Sequence, residues 1–340
     1  MNELHETAQA LVAEGKGILA ADESSGTIAK RFAAIGVEST EESRRAYRDL
    51  LFTTPGADEF ISGVILYDET IRQRSADGTP FPGLLASHGV IPGIKVDRGA
   101  KPLALGKGET VTEGLDGLRE RFAEYHSLGA RFAKWRATYS IGGGRPSDYC
   151  VWVNAHALAR YAALAQEAGL VPIVEPEVLM DGGHSIEESA RATGRAQQAL
   201  FTELHDQRVD LRGTILKPNM VLSGYEASGR AGIDEVAERT LDVLYRHVPA
   251  AVPGICFLSG GQSDEDATAH LNAMVERGPH PWELSFSYGR ALQAPAQHAW
   301  LGREENVEAA QRAYYHRARM NGAARTGTYS PALEAEVEAV

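Results

Sequence analysis

A lysine stands at the end of an apolar run in the segment "GTILKPNM", residues 213–220. The run favours a strand, and Pro218 ends it because proline has no backbone N–H. Lys217 has two interpretations. It can be a lysine whose stem packs while its ammonium reaches water. It can also be a nucleophile whose pKa is lowered by partial burial and by cations such as Lys134, which would form an imine with a ketone or aldehyde.

Two glutamates, Glu175 and Glu177, lie two positions apart in "VPIVEPEV", residues 171–178. On a strand they point to the same side of the sheet. Their mutual repulsion would raise the pKa of one carboxyl and suit it to proton transfer. Alternatively, each glutamate pairs with a lysine such as Lys134, and the two interpretations are compatible.

Small residues in "FLSGGQS", residues 257–263, have the character of an anion site. Ser259, Gly260 and Gly261 can direct backbone N–H groups at a phosphate, and Arg290 follows a later apolar run in "SYGRA". The alternative is that these residues form two ordinary tight turns, which favour the same residue types.

A second candidate phosphate region is the stretch "DESSGTIAKR", residues 22–31. It offers Ser24, Thr27, Lys30 and Arg31. The same stretch is also typical of a capped helix start.

Eight short apolar runs recur along the chain, each followed by polar residues and a helical pattern. They begin at Gly17, Gly63, Pro92, Arg131, Val171, Gly213, Gly254 and Glu283. Helix starts are expected near the capping-box patterns of residues 39–42 and 185–188, and near Asp234 and Ser263. Eight strands alternating with helices predict an α/β fold, a single (β/α)8 TIM barrel. The alternative is a doubly wound open sheet, which often carries a glycine-rich phosphate loop, and none of those patterns occurs here.

The eight runs carry their polar chemistry at their C-terminal ends, which in a barrel converge on one face. The residues are Asp22, Asp68, Lys95, Asp97, Lys134, Arg136, Glu175, Glu177, Lys217, Ser259, Ser287 and Arg290. Buried charges are costly unless they are paired. A set of cations and carboxylates balanced in sign at one face therefore favours an active site over ion pairs that merely fill the end of the barrel.

Composition narrows the class of protein. The chain has 340 residues and a formal net charge of −12, which argues against a nucleic-acid partner. Two cysteines imply no disulfide framework, and no apolar run approaches the ~18 residues of a membrane span, so we expect a cytoplasmic protein without membrane contact. The 11 histidines are scattered, so neither metal nor another cofactor is expected. We expect one catalytic domain over residues 1–323, with an N-terminal helix, and a flexible tail over 324–340.

The motifs together resemble class I, Schiff-base-forming fructose-1,6-bisphosphate aldolase from about Lys16 to Tyr329. The stretches that carry the resemblance are "KGILAADES", "GIKVD", "FAKWR", "PIVEPE", "LKPNM", "FLSGGQS" and "FSYGRALQ". The resemblance implies reversible aldol cleavage of fructose 1,6-bisphosphate to dihydroxyacetone phosphate and glyceraldehyde 3-phosphate, a glycolytic reaction without a metal. Family members are commonly homotetramers, which implies a homo-oligomer here.

The resemblance also implies a role for each matched residue. Lys217 looks like the imine-forming lysine, Asp22 like the group that handles the C4 hydroxyl proton, and Glu175 like the acid/base of imine formation, with Glu177 and Lys134 as its electrostatic partners. Ser259, Gly260, Gly261 and Arg290 look like the site of the phosphate nearer the ketone. Lys95, Arg136, Ser24 and Thr27 look like contacts to the far phosphate or sugar hydroxyls, with Lys30 and Arg31 in the same region.

The sequence departs from the family pattern at Thr27, where better-known members have serine, and at the end of the chain. Animal members finish with a tyrosine that reaches the active site, whereas the last tyrosine here is Tyr329. A transaldolase-type or deoxyribose-phosphate-type aldolase is a rival interpretation, but two phosphate regions argue against it. A non-catalytic barrel protein would be expected to have lost Lys217 or Glu175.

Overall fold

Each of the eight apolar runs forms a strand in the computed structural model, which describes residues 3–335. The strands, labelled β1 to β8 in chain order, are Gly17–Ala21, Ile61–Leu66, Ile91–Lys95, Phe132–Tyr139, Val171–Val178, Ile215–Leu216, Gly254–Phe257 and Glu283–Tyr288. Every strand pairs in parallel with its neighbours in the chain, and β8 pairs with β1. The predicted closed barrel is confirmed, and the open-sheet alternative is wrong.

Helices separate the strands and form the outer layer. In chain order, α1 to α12 are Glu3–Leu11, Ser25–Ala34, Glu41–Phe52, Asp68–Ile71, Phe81–Ser87, Leu118–Ser127, Asp148–Glu167, Ile186–Asp206, Ile233–His247, Asp264–Val275, Arg290–Trp300 and Val307–Arg325. A short antiparallel hairpin that the sequence did not predict, Ala100–Pro102 with Thr110–Thr112, follows β3.

The helix starts agree with the sequence at two of four places. The Ser185–Glu188 capping box begins α8, and Ser263 caps α10. Helix α3 begins one residue later than expected, because Thr40 forms its capping box with Ser43. Helix α9 is preceded by Gly232 rather than capped by Asp234.

Apolar side chains close the N-terminal end of the barrel. The Phe132 ring fills the space beside Gly93, where a methyl group would lie 2.3 Å from the ring. Leu11, at the end of α1, and the following Val12 pack into the same cluster from below. Within residues 3–335, this end of the barrel is therefore filled by apolar side chains.

Strand β6 ends as its sequence predicts. The Lys217 N–H still donates to the Val174 carbonyl oxygen at 2.9 Å, and Pro218 then stops the ladder. Asn219 replaces the lost pairing with its side chain, whose Oδ1 accepts from the Val178 N–H at 2.9 Å. The lysine is thus fixed at the barrel mouth by ordered structure on both sides.

The described part of the segment from residue 324, for which the sequence predicts a flexible tail, contacts the rest of the chain. Helix α12 continues to Arg325, and Tyr329 is buried. Glu334 accepts from Arg317 Nη1 at 2.6 and 2.7 Å and pairs with His316 at 2.9 Å. Polar pairs hold this segment, so it shows no apolar stripe in the sequence. Residues 336–340 of the expected tail lie outside the described residues.

Candidate active site

One large cavity, of about 1180 Å³, opens at the C-terminal ends of the strands. It brings together fourteen of the fifteen residues to which the sequence analysis assigns a catalytic or binding role. They are Asp22, Ser24, Thr27, Arg31, Lys95, Lys134, Arg136, Glu175, Glu177, Lys217, Ser259, Gly260, Gly261 and Arg290. Lys30 is the exception, because it lies on the exposed side of α2 and does not line the cavity.

Lys217 lies near the floor of the cavity and is only 3% exposed. Its Nζ is 3.4 Å from Glu175 Oε1, the carboxylate that extends from the neighbouring strand β5. A buried amine this close to a carboxylate can exchange a proton with it without the help of bulk water.

A second lysine, Lys134, joins two carboxylates. Its Nζ lies 2.6 Å from Asp22 Oδ2 and 3.3 Å from Glu175 Oε2. Burial alone would raise the pKa of Asp22, but the ammonium groups of Lys134 and Lys217 hold that pKa well below its usual range. Burial likewise opposes the charge of Lys134, yet the two carboxylates raise its pKa above the ordinary value. Asp22 is therefore a carboxylate, and Lys134 an ammonium, at neutral pH.

The other glutamate of β5 has a different partner. Glu177 pairs with Arg136 of β4, and not with Lys134 as one interpretation of the sequence suggested. Burial would lower the pKa of Arg136, but the neighbouring Glu177 carboxylate raises it above the ordinary value. The two glutamates point to the same cavity, as predicted, and separate cations balance them.

The polar end of β3 adds another ion pair. Lys95 Nζ lies 2.8 Å from Asp97 Oδ1 and donates to the Asp97 carbonyl oxygen at 2.9 Å. Asp97 follows Lys95 by two residues in the sequence, and this spacing indicates that the two side chains lie on the same side and can pair. Lys95 and Arg136 thus line the cavity as two cations, each beside a carboxylate that balances its charge.

The predicted anion nest lies at the ends of β7 and β8. Gly260 has φ +56°, the left-handed conformation that turns successive N–H groups to one side. Arg290 begins α11 and donates from Nη2 to the Gly260 carbonyl oxygen at 2.7 Å. Ser259 is 5% exposed and completes the wall. A guanidinium beside free N–H groups is suited to a phosphate monoester.

The stretch 22–31 serves both as a helix start and as a cavity wall. Ser24 caps α2, and its Oγ lies 3.1 Å from Thr27 Oγ1. Arg31 reaches Glu23, a buried carboxylate that Arg48 also contacts. The sequence did not single out Glu23, and no pattern around it marks a partner that lies 25 residues away.

The described residues offer neither a metal site nor a membrane helix. Between residues 3 and 335, no group of three or more His, Cys, Asp or Glu side chains could hold a metal ion. No helix in that range is long and apolar enough to cross a bilayer.

Comparison with known proteins places this geometry in context. The family model of class-I fructose-bisphosphate aldolase matches residues 3–339. A probable fructose-bisphosphate aldolase class 1 from Xanthomonas campestris is 58% identical over 97% of this chain and 99% of its own length. The protein named cytosolic fructose-bisphosphate aldolase 6 from Arabidopsis thaliana is 56% identical, over 93% of this chain and 88% of its own.

A solved structure shows the same similarity in three dimensions. Fructose-bisphosphate aldolase from Plasmodium falciparum, solved with TRAP and a small-molecule inhibitor, superposes with a TM-score of 0.95 at 50% identity. The match covers 96% of this chain and 95% of that one. At this identity the similarity extends beyond the fold.

Proposed function

This chain belongs to the class I fructose-bisphosphate aldolase family, and from that premise we propose that Lys217 is the amine that forms its imine. The enzyme cleaves fructose 1,6-bisphosphate reversibly to dihydroxyacetone phosphate and glyceraldehyde 3-phosphate. The observation that carries the assignment is the position of Lys217, buried on the cavity floor with its Nζ 3.4 Å from a carboxylate.

The first step is imine formation. Glu175 accepts a proton from the Lys217 ammonium, and the free amine attacks the C2 carbonyl of the open-chain sugar. A second proton passes from the nitrogen to the C2 oxygen, and Glu175 then returns its own proton to that hydroxyl, which leaves as water. Lys134 supports this role because its contact at 3.3 Å fixes the orientation of the Glu175 carboxylate. The protonated imine that results is an electron sink.

The second step is cleavage of the bond between C3 and C4. Asp22 removes the proton of the C4 hydroxyl, the C3–C4 electron pair moves toward the iminium nitrogen, and the aldehyde leaves. Protonation of C3 and hydrolysis of the imine then release dihydroxyacetone phosphate and restore the amine. The depressed pKa of Asp22 supports this assignment, because a general base must be ionised before the substrate arrives.

Two groups of residues are proposed to hold the two phosphates. The nest of Ser259, Gly260 and Gly261, with Arg290, binds the phosphate nearer the ketone. The opposite side binds the far phosphate or the sugar hydroxyls through Lys95, Arg136, Ser24, Thr27 and Arg31. The exposed position of Lys30 gives no support for including it.

Borohydride reduction tests the nucleophile directly. Dihydroxyacetone phosphate with borohydride should attach its carbon skeleton irreversibly to Lys217, as peptide mapping would show. Lys217→Arg keeps the charge and should abolish the label. Attachment to Lys95 or Lys134 in the wild-type protein would refute the assignment.

We further propose a cytoplasmic homotetramer with one catalytic domain in each chain. The cytoplasmic location is supported by the two cysteines, both of which are free and buried. The tetramer rests on the family resemblance. Light scattering after size exclusion would test the tetramer, and a monomeric mass would refute it. Cell fractionation would test the cytoplasmic location separately.

A further inference from the structure

Tyr225 forms part of the cavity wall, with its hydroxyl directly against Gly261 of the glycine nest. It lies in the segment that follows β6, and its side chain is 39% exposed. A methyl group built on Gly261 would fall 1.3 Å from the Tyr225 hydroxyl oxygen. The hydroxyl therefore occupies the space that any larger residue at position 261 would need.

Backbone pairing holds Tyr225 in this position. The N–H groups of Gly224, Tyr225 and Glu226 donate to carbonyl oxygens of the segment after β5, at 2.9, 2.9 and 3.0 Å. The Arg230 guanidinium also lies over the Tyr225 ring, 5.7 Å from its centre. A phenol fixed in this way presents its hydroxyl with little loss of conformational freedom on binding.

The neighbours of the hydroxyl leave its proton available. Burial raises the pKa of Tyr225, and the Arg290 guanidinium beside it acts in the opposite direction. A guanidinium can donate to the phenol oxygen but cannot accept from it. Across residues 3–335, the hydrogen bonds include no acceptor for the Tyr225 O–H. Its proton is free to point toward an anion in the nest.

We propose that Tyr225 is a further ligand of the phosphate that occupies the nest, to which its hydroxyl donates a hydrogen bond. Arg290 supplies charge, Gly260 and Gly261 supply backbone N–H groups, and Tyr225 supplies a fixed neutral donor beside Gly261. The inference rests on the proposed function, because it assumes that the nest holds the phosphate nearer the ketone.

The test compares Tyr225→Phe with wild type, since the variant keeps the ring and removes only the donor. Dihydroxyacetone phosphate carries a single phosphate, so its half-saturating concentration for borohydride trapping reports on the nest alone. Arg290→Ala serves as the reference for the nest. Tyr245→Phe is the matched control, because Tyr245 is also half-exposed but does not line the cavity.

Tyr225→Phe should raise that concentration, and the KM for fructose 1,6-bisphosphate, by roughly threefold to tenfold, the scale of one lost hydrogen bond. The kcat and the extent of labelling at Lys217 should stay unchanged, because the phosphate contact is the same in the ground state and the transition state. The melting temperature should also stay unchanged, because the variant keeps the ring. If Arg290→Ala weakens binding and Tyr225→Phe does not, the inference is wrong and the proposed function stands. If neither variant weakens binding, the nest assignment fails and the inference fails with it. Labelling at another lysine would refute the proposed nucleophile instead.

Discussion

The two lysines at the centre of the cavity have unequal surroundings, and this separates their chemistry. Lys134 contacts Asp22 and Glu175, and these carboxylates raise its pKa. An amine held as ammonium cannot attack a carbonyl. Lys217 has one carboxylate at 3.4 Å, which can take its proton. The geometry therefore favours Lys217 as nucleophile and Lys134 as the cation that orders both carboxylates.

The depressed pKa of Asp22 predicts a pH effect with a definite sign. A carboxyl whose pKa is lower in the folded state contributes stability above its unfolded pKa, ~3.8, and that contribution is lost as pH falls through the folded value. Asp22 therefore stays ionised through mildly acidic pH. Lys134→Met removes its strongest cation, so the pKa of Asp22 should rise and the acid limb of kcat against pH should move upward by at least about one unit.

A pH profile of kcat between about 4.5 and 9, under single-turnover conditions, would measure that shift. Arg136→Met is the control, because Arg136 pairs with Glu177 and its loss should leave the acid limb in place. Coincident acid limbs for wild type and Lys134→Met would show that Asp22 does not control turnover.

Glu175→Gln keeps the shape of the side chain and removes its ability to transfer a proton. The kcat should fall by roughly 10²–10⁴-fold, the usual scale for a lost general acid/base, with little change in KM. Glu177→Gln is a matched variant on the same face of β5 and should lose much less activity. Equal losses in steady-state kcat would contradict the distinct role proposed for Glu175.

At the scale of elements, the strand ends could be read from the sequence because they obey local rules. The alternation of Glu175 and Glu177 and the stop at Pro218 follow from chain geometry. The ion partners could not be predicted. The register places Arg136 of β4 opposite Glu175 of β5, and the Arg136 side chain then reaches diagonally to Glu177. Site residues on helices and loops were harder to predict than those on strands. A rotation of α2 by one residue is enough to remove Lys30 from the cavity, and no sequence pattern places Tyr225 beside the nest.

The close packing inside the barrel predicts a stability effect at Gly93. A methyl group there would lie 2.3 Å from the Phe132 ring, which the surrounding strands hold in place. Gly93→Ala should lower the free energy of unfolding by about 1–3 kcal/mol, the usual range for overpacking. Gly83→Ala in α5 is the control, because nothing lies within 4 Å of that methyl position. Equal unfolding midpoints in urea for the two variants would show that Phe132 can move aside.

The whole molecule combines one closed end with one open cavity that is less acidic than the rest of the protein. The chain has a formal net charge of −12, yet the cations and carboxylates that line the cavity are nearly equal in number. An acidic surface around a cavity without that excess of negative charge favours the approach of an anionic sugar phosphate to the cavity over the rest of the protein.

The last described segment, residues 324–335, contributes to the stability of the whole molecule, because its Glu334 completes a buried ion pair with helix α12. Arg317 is 3% exposed and meets Glu334, whose side chain is 20% exposed. A chain ending at Ala323 leaves that guanidinium with Asp264 Oδ2, at 3.8 Å, in place of Glu334. It also removes two further buried residues, Arg325 and Tyr329. We expect a loss of at least about 2–3 kcal/mol in unfolding free energy, the part that belongs to the Arg317–Glu334 pair, which is below the range for a fully buried pair because Glu334 keeps some water.

Two further variants distinguish the contribution of the Arg317–Glu334 ion pair to stability from that of the rest of the segment. A chain ending at Ala335 retains Glu334 and should unfold like wild type in urea, whereas full-length Glu334→Gln should reproduce only the part of the loss that belongs to the ion pair. The kcat of the chain ending at Ala323 should fall less than about tenfold at a temperature where it is folded, because Tyr329 contacts α10 and Glu334 and does not line the cavity. A hundredfold loss of kcat without a change in stability would mean that the segment acts in catalysis, and it would make Tyr329 the first residue to replace.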